Sequence, residues 1–547
     1  MRNQRTEKYI PQGKKKQKKG SNDRSLLFII LLVYTGAKLA GTIPIVLHPV
    51  FQTKKAFAIL FGVIIFFAAI TRLVRLSDPS GYYFDEVYHA VTSKLIARND
   101  PRAYEWWNEP PEANTAVDWL HPPLAKYTQA ASMLLFGENS FGWRFSSAVF
   151  GVLVVAITGL LAHIAFNRKA ITLLATGFVA LDGLILAQSR IAMNDIHVTF
   201  FILATAAAYL WYRKSPPNPK KTVLRLTGIG ILAGLAMGSK WSGVFVLGPI
   251  FLFEGLLVLS QSKGSLEKIL KATLRRSVPL LIVPLLVYVL SYTHMFIQGK
   301  SLVCQGDQII QGQCNCSNTQ SFWVSQLQAM FPSERERFAA WEARGGCARL
   351  ISHFSELHHQ IWWYQTNLKA THPFQSRPYQ WAFDLRPVWM HVDYTNPAAT
   401  GNIYNSGNPI LFWSGMLAAG LLATLLFNRL LKNISTFLFS DSKKGYLSIP
   451  LEQAFLLTLY SIVWMPWMLS PRIMFFYHYA PAVPILAILL AYSLIRLAQK
   501  SSMGKLVLVI VSGVMILFFI GLFPLWTGIP MPSGYTQAVF TLFPSWK

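Results

Sequence analysis

The chain of 547 residues is short of acidic residues and of charge in general. It has 24 Asp and Glu against 50 Lys and Arg, a formal net charge of +26, and only 14% of its residues are charged. With 53% hydrophobic residues and a mean hydropathy of +0.36, it is too apolar for a soluble multidomain protein and is unlike a disordered chain. The surplus Lys and Arg lie in short segments between long apolar runs rather than on one basic face. The composition therefore predicts a protein whose partner is the lipid bilayer and not nucleic acid.

Cysteine is scarce, and the usual nucleotide-binding motifs are missing. The four cysteines all lie between residues 298 and 407, at Cys304, Cys314, Cys316 and Cys347. An oxidising compartment would permit disulfides there, but four cysteines allow three pairings and the sequence does not choose among them. A zinc site is the weaker interpretation, because the C-x-C spacing has no second pair. No G-x-G-x-x-G, Walker A or G-x-S-x-G pattern occurs in a strand–turn–helix setting, so nucleotide chemistry is unsupported.

What the sequence does contain is a series of apolar runs of about 20 residues, the length that crosses a membrane. We therefore predict an all-α polytopic membrane protein with about eleven transmembrane helices and two main extracytoplasmic loop regions. The spans begin near Ala56, Phe145, Ala170, Val198, Leu226, Ser242, Ser277, Pro409, Gln453, Met474 and Leu506.

Orientation follows from Lys and Arg, which accumulate in cytoplasmic loops. The basic loops fall on alternate connections, which places the N-terminus in the cytoplasm and the segments 72–144 and 298–407 outside. An odd number of spans puts the C-terminus outside as well. We expect a multi-pass protein of the plasma or inner membrane. Its expected regions are a basic cytoplasmic tail (1–24), an interfacial or re-entrant segment (25–55), an N-terminal transmembrane catalytic module (56–297), the cysteine-bearing outer loop (298–407) and a C-terminal four-helix module (408–547).

The first outer loop contains the motif FDEVYH, in which Asp85 and Glu86 are adjacent. Carboxylates beside an aromatic stretch suit a general base. They could equally cap the helix that follows, because an acid at a helix start satisfies free backbone N–H groups. The pair alone does not decide between the two interpretations.

A set of cations lies within or at the edge of the apolar runs without matching acids. Such residues are costly in a membrane and often functional. Any one of them could simply snorkel to the headgroups, but together they suggest a site for an anionic headgroup. The predicted phosphate-binding residues are Arg144, Arg72, Lys126, Arg190, Lys240 and Arg472, and further site candidates are His121, Asp195, His372, Arg377 and His478.

Several motifs in order together resemble the protein O-mannosyltransferases, membrane glycosyltransferases of the GT-C architecture. They are FDEVYH with Arg72 upstream, HPPLAK, GWRFSSAVFG, LDGLILAQSRIAMND, SKWSG, THPFQSRPYQWAFDLRPVW, GNP and FYHYAPA. The resemblance implies a GT-C fold with eleven spans and a polyprenyl- or dolichyl-phosphate mannose donor. It also implies that the Asp-Glu pair is Asp85-Glu86. The outer loop is too short for the β-trefoil domain of the large eukaryotic members, which suggests a bacterial form.

The resemblance predicts an inverting, single-displacement transfer of mannose to Ser or Thr hydroxyls of secreted or membrane proteins. Asp85 would take the hydroxyl proton, Glu86 would orient the acceptor or support Asp85, and the cations would stabilise the leaving phosphate. Since a lipid phosphate leaves without protonation, no metal ion and no cofactor is needed. Two alternatives stay open: a GT-C transferase that modifies lipid A or a cell-wall glycan, and a lipid or solute transporter, although no internal repeat supports the transporter.

Overall fold

The computed structural model describes residues 53–104, 111–262, 264–298, 309–310, 313–314, 347–396, 398–439 and 450–546. The predicted basic tail (1–24), all but the end of the segment 25–55, and Cys304 and Cys316 lie outside the described residues. The disulfide pairing therefore stays open.

The described chain is mostly helical, as predicted, and nine of its helices are long and apolar enough to cross a membrane. These helices are 19 to 27 residues long, enough to span a hydrocarbon core of about 30 Å. The nine candidate spans are Lys54–Leu73, Ser140–Phe166, Asp195–Lys214, Lys221–Ser239, Trp241–Ser262, Leu266–Leu290, Pro409–Asn433, Ala482–Lys500 and Ser502–Thr527.

Two further helices lie where spans were predicted but are shorter. Lys169–Ala180 and Leu451–Trp464 have 12 and 14 residues, about 18 and 21 Å of helix. Each is continued by a second short element, the helix Gly183–Gln188 and the 3-10 helix Met465–Leu469. The first break occurs at Asp182, whose side chain caps the new helix by accepting a hydrogen bond from Ile185 N. The count of eleven crossings stays a prediction.

The predicted start of the tenth span near Met474 is wrong by eight residues. The helix begins at Ala482, and the preceding stretch forms a separate 3-10 helix, Phe476–Tyr479. Ala480 and Pro481 separate this 3-10 helix from the span. Tyr477 and His478 therefore lie before the span rather than inside it.

The connections carry short helices and a small sheet. The helices are Glu86–Ala97, Leu124–Phe136, Thr293–Gln298, Cys347–Asn367, Pro378–Trp381 and Ser533–Leu542, with 3-10 turns at Pro101–Tyr104 and Pro544–Trp546. Strands β1 (Ile309–Ile310) and β2 (Gln313–Cys314) pair antiparallel. Strands β3 (Val388–Asp393), β4 (Ala399–Asn405) and β5 (Met531–Pro532) form an antiparallel sheet in the order β3-β4-β5, with a bulge between Trp389 and His391. The all-α prediction missed these strands.

The helices from both halves of the chain share one hydrophobic core. Helix Ala482–Lys500 is the most buried span, because it packs against Lys169–Ala180, Pro409–Phe439 and Ser502–Thr527. The same cluster contains Val154 and Leu203 from the first half and Leu486 from the second. At one end of this bundle the starts of helices Glu86–Ala97 and Asp195–Lys214 meet the 3-10 helix Phe476–Tyr479.

Candidate active site

Asp85 precedes helix Glu86–Ala97 in the capping position, yet its side chain makes no capping hydrogen bond. Phe84, immediately before it, has a φ of +50°, in the left-handed region that a bulky side chain rarely adopts. The Phe84 ring packs edge-on against Tyr477, with 5.9 Å between ring centroids. This turn presents the Asp85 carboxyl to Tyr477 instead of to the backbone of its own helix.

Glu86 faces the opposite way and is completely enclosed. Its two carboxylate oxygens accept hydrogen bonds from Nε and a terminal nitrogen of Arg144, both at 2.7 Å, and neither side chain is exposed. They also accept from the backbone N–H groups of Tyr83 and Ala192. A carboxylate held by four donors has no lone pair directed at a substrate.

Arg144 is equally occupied. Besides Glu86, its guanidinium donates to the carbonyl oxygens of Leu76, Pro79 and Gly81 at 2.7–3.1 Å. All five N–H groups of the side chain are thus used within the protein. The pair joins the first outer loop to the second span, and it leaves Arg144 no donor for a lipid phosphate.

Asp85 is half-buried and lies among charged and hydroxyl groups. Burial raises the pKa of its carboxyl to about 6, an effect that nearby His89 opposes and Asp195 reinforces. The Tyr477 hydroxyl lies within hydrogen-bonding reach of this carboxyl, and burial together with Asp85 raises the pKa of Tyr477. Tyr477 therefore keeps its proton and can donate it to the carboxylate.

The predicted residues Lys240 and Asp195 form a buried ion pair beside Asp85. Lys240 Nζ lies 2.7 Å from an Asp195 oxygen and 5.4 Å from the centre of the Tyr477 ring. Asp195 begins helix Asp195–Lys214, and Lys240 follows the helix that ends at Ser239. Because an ammonium carries three N–H groups and Asp195 takes one, Lys240 can still donate to an oxygen in front of Asp85.

Four residues next to this region, His89, Asp118, His121 and Lys126, form a polar cluster. Asp118 lies 2.8 Å from His89 Nδ1, 2.9 Å from His121 Nδ1 and 2.9 Å from Lys126 Nζ. Burial alone would raise the pKa of Asp118, but these three neighbours hold it well below its usual range. Burial lowers the pKa of His121 to about 4.

The two histidines and Asp118 are close enough together to suggest metal ligands. Two histidines and one carboxylate are a donor set that transition metals use. Lys126, however, contacts the same carboxylate and also donates to the backbone carbonyls of Asp118 and His121. An ammonium in the cluster already supplies the cation that Asp118 needs, so these residues fit a metal ion poorly.

Arg472 lies on the other side of Tyr477 and is half-buried. Its guanidinium donates to the Gln365 side chain and to the carbonyl of Ile473. Among the described residues no carboxylate pairs with it. Positive charge from Arg472 and Lys240, after burial itself, holds the pKa of the neighbouring His478 well below its usual range, so this histidine is neutral.

The loop around helix Pro378–Trp381 covers the site. Trp381 stacks edge-on against His478, and Ser376 N donates to Met474 O at 2.8 Å. Within the same loop His372 contacts the Phe475 ring, while Arg377 is exposed to solvent. Tyr364, at the end of helix Cys347–Asn367, interacts with Tyr88, which in turn is close to Asp85. The loop thus contributes aromatic side chains rather than charges.

Two predicted phosphate-binding arginines point elsewhere. Arg190 donates to the carbonyl oxygens of Thr71, Arg72, Val74 and Arg75 at 2.8–3.1 Å, which are the free carbonyls at the end of the first span. Arg72 is fully buried inside that span and donates to Ala68 O and Thr71 Oγ1. Neither is positioned beside Asp85.

The structure therefore brings together Asp85, Lys240, Asp195, His121, Arg472 and His478 from the predicted set. It separates Glu86, Arg144, Arg72 and Arg190 from them, places Lys126 behind Asp118, and leaves His372 and Arg377 at the rim. Sequence reasoning missed Tyr477, His89 and Asp118 as site residues. His89 and Tyr477 lie inside the quoted motifs FDEVYH and FYHYAPA, and Asp118 lies three residues before HPPLAK, so the motifs were the available signal.

The helical membrane bundle, with the Asp85 carboxylate beside Lys240 and Arg472 at one end, has the arrangement expected of a membrane glycosyltransferase of the GT-C architecture. The solved Pmt1-Pmt2 O-mannosyltransferase complex of Saccharomyces cerevisiae, bound to its sugar donor, has this fold. It matches with a TM-score of 0.69 and 17% identity over 93% of this chain and 94% of that one.

Sequence comparison gives the family. Residues 62–298 match the dolichyl-phosphate-mannose-protein mannosyltransferase family model, and residues 350–546 match the C-terminal four-transmembrane region of protein O-mannosyltransferases. The polyprenol-phosphate-mannose–protein mannosyltransferase of Corynebacterium glutamicum is 24% identical over 93% of this chain and 97% of the relative. That of Mycobacterium tuberculosis is 23% identical over 89% and 92%. The chain belongs to the protein O-mannosyltransferase family, and it is a mannosyltransferase.

Proposed function

We propose that this enzyme transfers mannose from polyprenyl-phosphate mannose to Ser or Thr hydroxyls of secreted or membrane proteins. The reaction takes place on the extracytoplasmic face of the cell membrane and inverts the sugar in one displacement. The observation that carries the proposal is that Asp85 forms no ion pair in the described chain, unlike its neighbours Glu86, Asp118 and Asp195. Glu86, Asp118 and Asp195 are all neutralised by cations within 3 Å.

Asp85 has the properties of a general base. A pKa of about 6 keeps it ionised at neutral pH while leaving it basic enough to accept a proton in the transition state. As the acceptor oxygen forms a bond to sugar C1, the bond from C1 to the phosphate oxygen breaks. The hydroxyl proton passes to Asp85, and Tyr477 holds the carboxyl in position.

The leaving group is a phosphate, so its developing negative charge is stabilised by cations and no proton has to be donated to it. Lys240 and Arg472 are the candidates that retain free donors beside Tyr477. Preorganised cations of this kind stabilise charge that develops in the transition state. We assign Glu86, Arg144, Lys126, Arg190 and Arg72 to holding the scaffold instead.

The decisive experiment is transfer from polyprenyl-phosphate mannose to a Ser/Thr peptide by purified protein and by Asp85→Asn. We expect the variant to lose at least about 100-fold in rate, the range of a general base, while it still binds the donor. Asp78→Asn is the matched control, because Asp78 lies in the same loop but is exposed and pairs with Arg75. Normal peptide glycosylation by Asp85→Asn would refute the assignment.

The same assay separates the alternatives. Mannose on a lipid or glycan acceptor but not on peptide would indicate the lipid A or cell-wall class. Movement of the donor across vesicles without transfer would indicate a transporter. We expect transfer to persist in the presence of EDTA, because the proposed mechanism uses cationic side chains and no metal ion.

A further inference from the structure

A groove opens between four helices, and its charged end lies far from Asp85. It has a volume of about 570 Å³ and lies among Pro409–Phe439, Leu451–Trp464, Ala482–Lys500 and Ser502–Thr527. Leucine is the most frequent residue in its walls. At its mouth are the side chains of Arg429, Arg496 and Lys500, and we call the cavity with these three cations the basic groove.

The three cations lack acidic partners within the part of the chain that the structure describes. All three are exposed, and none of them forms an ion pair there. The nearby acid Glu452 is already paired with Lys214 at 3.1 Å. Within the described residues, their charge is therefore not neutralised by an acid.

The groove is long enough for a lipid acyl chain, and its cations suit an anionic lipid headgroup. Along the first of its helices it extends from Ser414 to Arg429, about 22 Å at 1.5 Å per residue. That exceeds half of a hydrocarbon core of about 30 Å, so one leaflet's acyl chain can lie within it. Arginine and lysine that merely snorkel to the surface need no such cavity beneath them.

We propose that the basic groove binds an anionic phospholipid of the cytoplasmic leaflet. Its acyl chain lies along the leucine-lined wall, and its phosphate meets Arg429, Arg496 and Lys500. Clusters of basic residues between membrane helices recognise acidic headgroups through charge-assisted hydrogen bonds. The proposal depends on the orientation predicted from the basic loops and not on the transfer reaction.

This site is separate from the one for the sugar donor. Helix Ala482–Lys500 begins beside His478 at the Asp85 end and finishes at the basic groove, about 28 Å away. A donor phosphate at Lys240 and Arg472 cannot reach Lys500 at the same time. The basic groove therefore holds a second lipid.

Native mass spectrometry of the purified protein, titrated with dioleoyl-phosphatidylglycerol, dioleoyl-phosphatidylcholine or polyprenyl phosphate, tests the proposal. We expect tighter binding of the phosphatidylglycerol, and at least a tenfold loss in the triple variant Arg429→Gln, Arg496→Gln, Lys500→Gln. The charge-matched control removes three exposed lysines elsewhere, Lys54→Gln, Lys221→Gln and Lys268→Gln, and keeps the affinity.

A second variant tests whether the groove itself, and not only its positive charge, is needed for lipid binding. Leu421→Trp leaves every cation in place but puts a bulkier side chain in the groove where the acyl chain would lie, so we expect weaker binding of phosphatidylglycerol. Leu256→Trp, an exposed leucine on another span, is its control. The proposal would be overturned if the two phospholipids bind equally, or if either groove variant binds phosphatidylglycerol as the unmodified protein does. It would also be overturned if a control variant loses binding to the same extent, or if only polyprenyl phosphate occupies the groove.

Discussion

Asp85 and Glu86 are adjacent in the chain but lie in opposite surroundings. Glu86 is inaccessible to solvent and held by Arg144 and two backbone N–H groups. Asp85 is half-buried, carries no capping bond and faces Tyr477. The Glu86 side is saturated and stabilises the fold, while the Asp85 side keeps unused bonding capacity, which is what a substrate needs. Of these two adjacent acids, Glu86 therefore stabilises the fold and Asp85 is available for the reaction.

Removing the charge of Glu86 is expected to give the largest effect. In Glu86→Gln, Arg144 is left buried without a counter-ion, which costs about 3–5 kcal/mol of folding free energy. We expect a large fall in Tm in detergent and poor yield of folded protein. Glu112→Gln removes a half-exposed ion pair with Lys94 and should change Tm far less. A stable but inactive Glu86→Gln variant would instead indicate that Glu86 takes part in the reaction.

Loss of a phosphate-facing cation should be next in size. Arg472→Gln keeps a polar side chain but removes a charge beside Tyr477, so we expect a 10- to 100-fold lower kcat/KM with Tm preserved. Arg377→Gln, an exposed arginine in the covering loop, serves as the control. Steady-state kinetics with the peptide assay measure both. Equal kinetics for the two variants would contradict the assignment of Arg472.

The pH profile should report Asp85 directly. With a raised pKa of about 6, the carboxyl is protonated below that pH and cannot accept the acceptor's proton. We therefore expect kcat/KM to rise with pH through about 6 and to reach a plateau above it. One pH unit below 6, we expect kcat/KM to be roughly tenfold lower than at the plateau. If the reaction needed Asp85 in its protonated form, kcat/KM would instead fall as the pH rises through 6. A flat profile from pH 5 to 7 would argue against Asp85 as the base.

The smallest effect is expected from the residue that positions Asp85. Tyr477→Phe removes the hydroxyl near the carboxyl but keeps the ring contacts with Phe84 and Lys240. We expect a loss of only a few-fold in kcat, and an acidic limb of the pH profile displaced upward, because the carboxylate loses a donor. A rate change without this displacement would indicate a purely structural role for the ring.

The sequence already indicated most of the architecture. Helices occupy the predicted apolar runs because these stretches must satisfy their backbone hydrogen bonds internally in lipid. It did not indicate the strands β3 to β5, since β3 and β4 are only six and seven residues long and β5 pairs with β4 from more than 120 residues away. It also placed the tenth span too early, because no Lys, Arg, Asp or Glu separates Met474 from the helix that begins at Ala482.

By itself, the sequence determined the membrane class, the order of the spans, the motif that contains Asp85 and the cations that accompany it. Only the tertiary structure decided which acid and which cations are free. Glu86 and Arg144 are 58 residues apart, and Asp195 and Lys240 are 45 apart, so their pairing depends on how the helices pack. An ionisable side chain in an apolar bundle is stabilised by a partner or used in chemistry, and the folded chain supplies the partner.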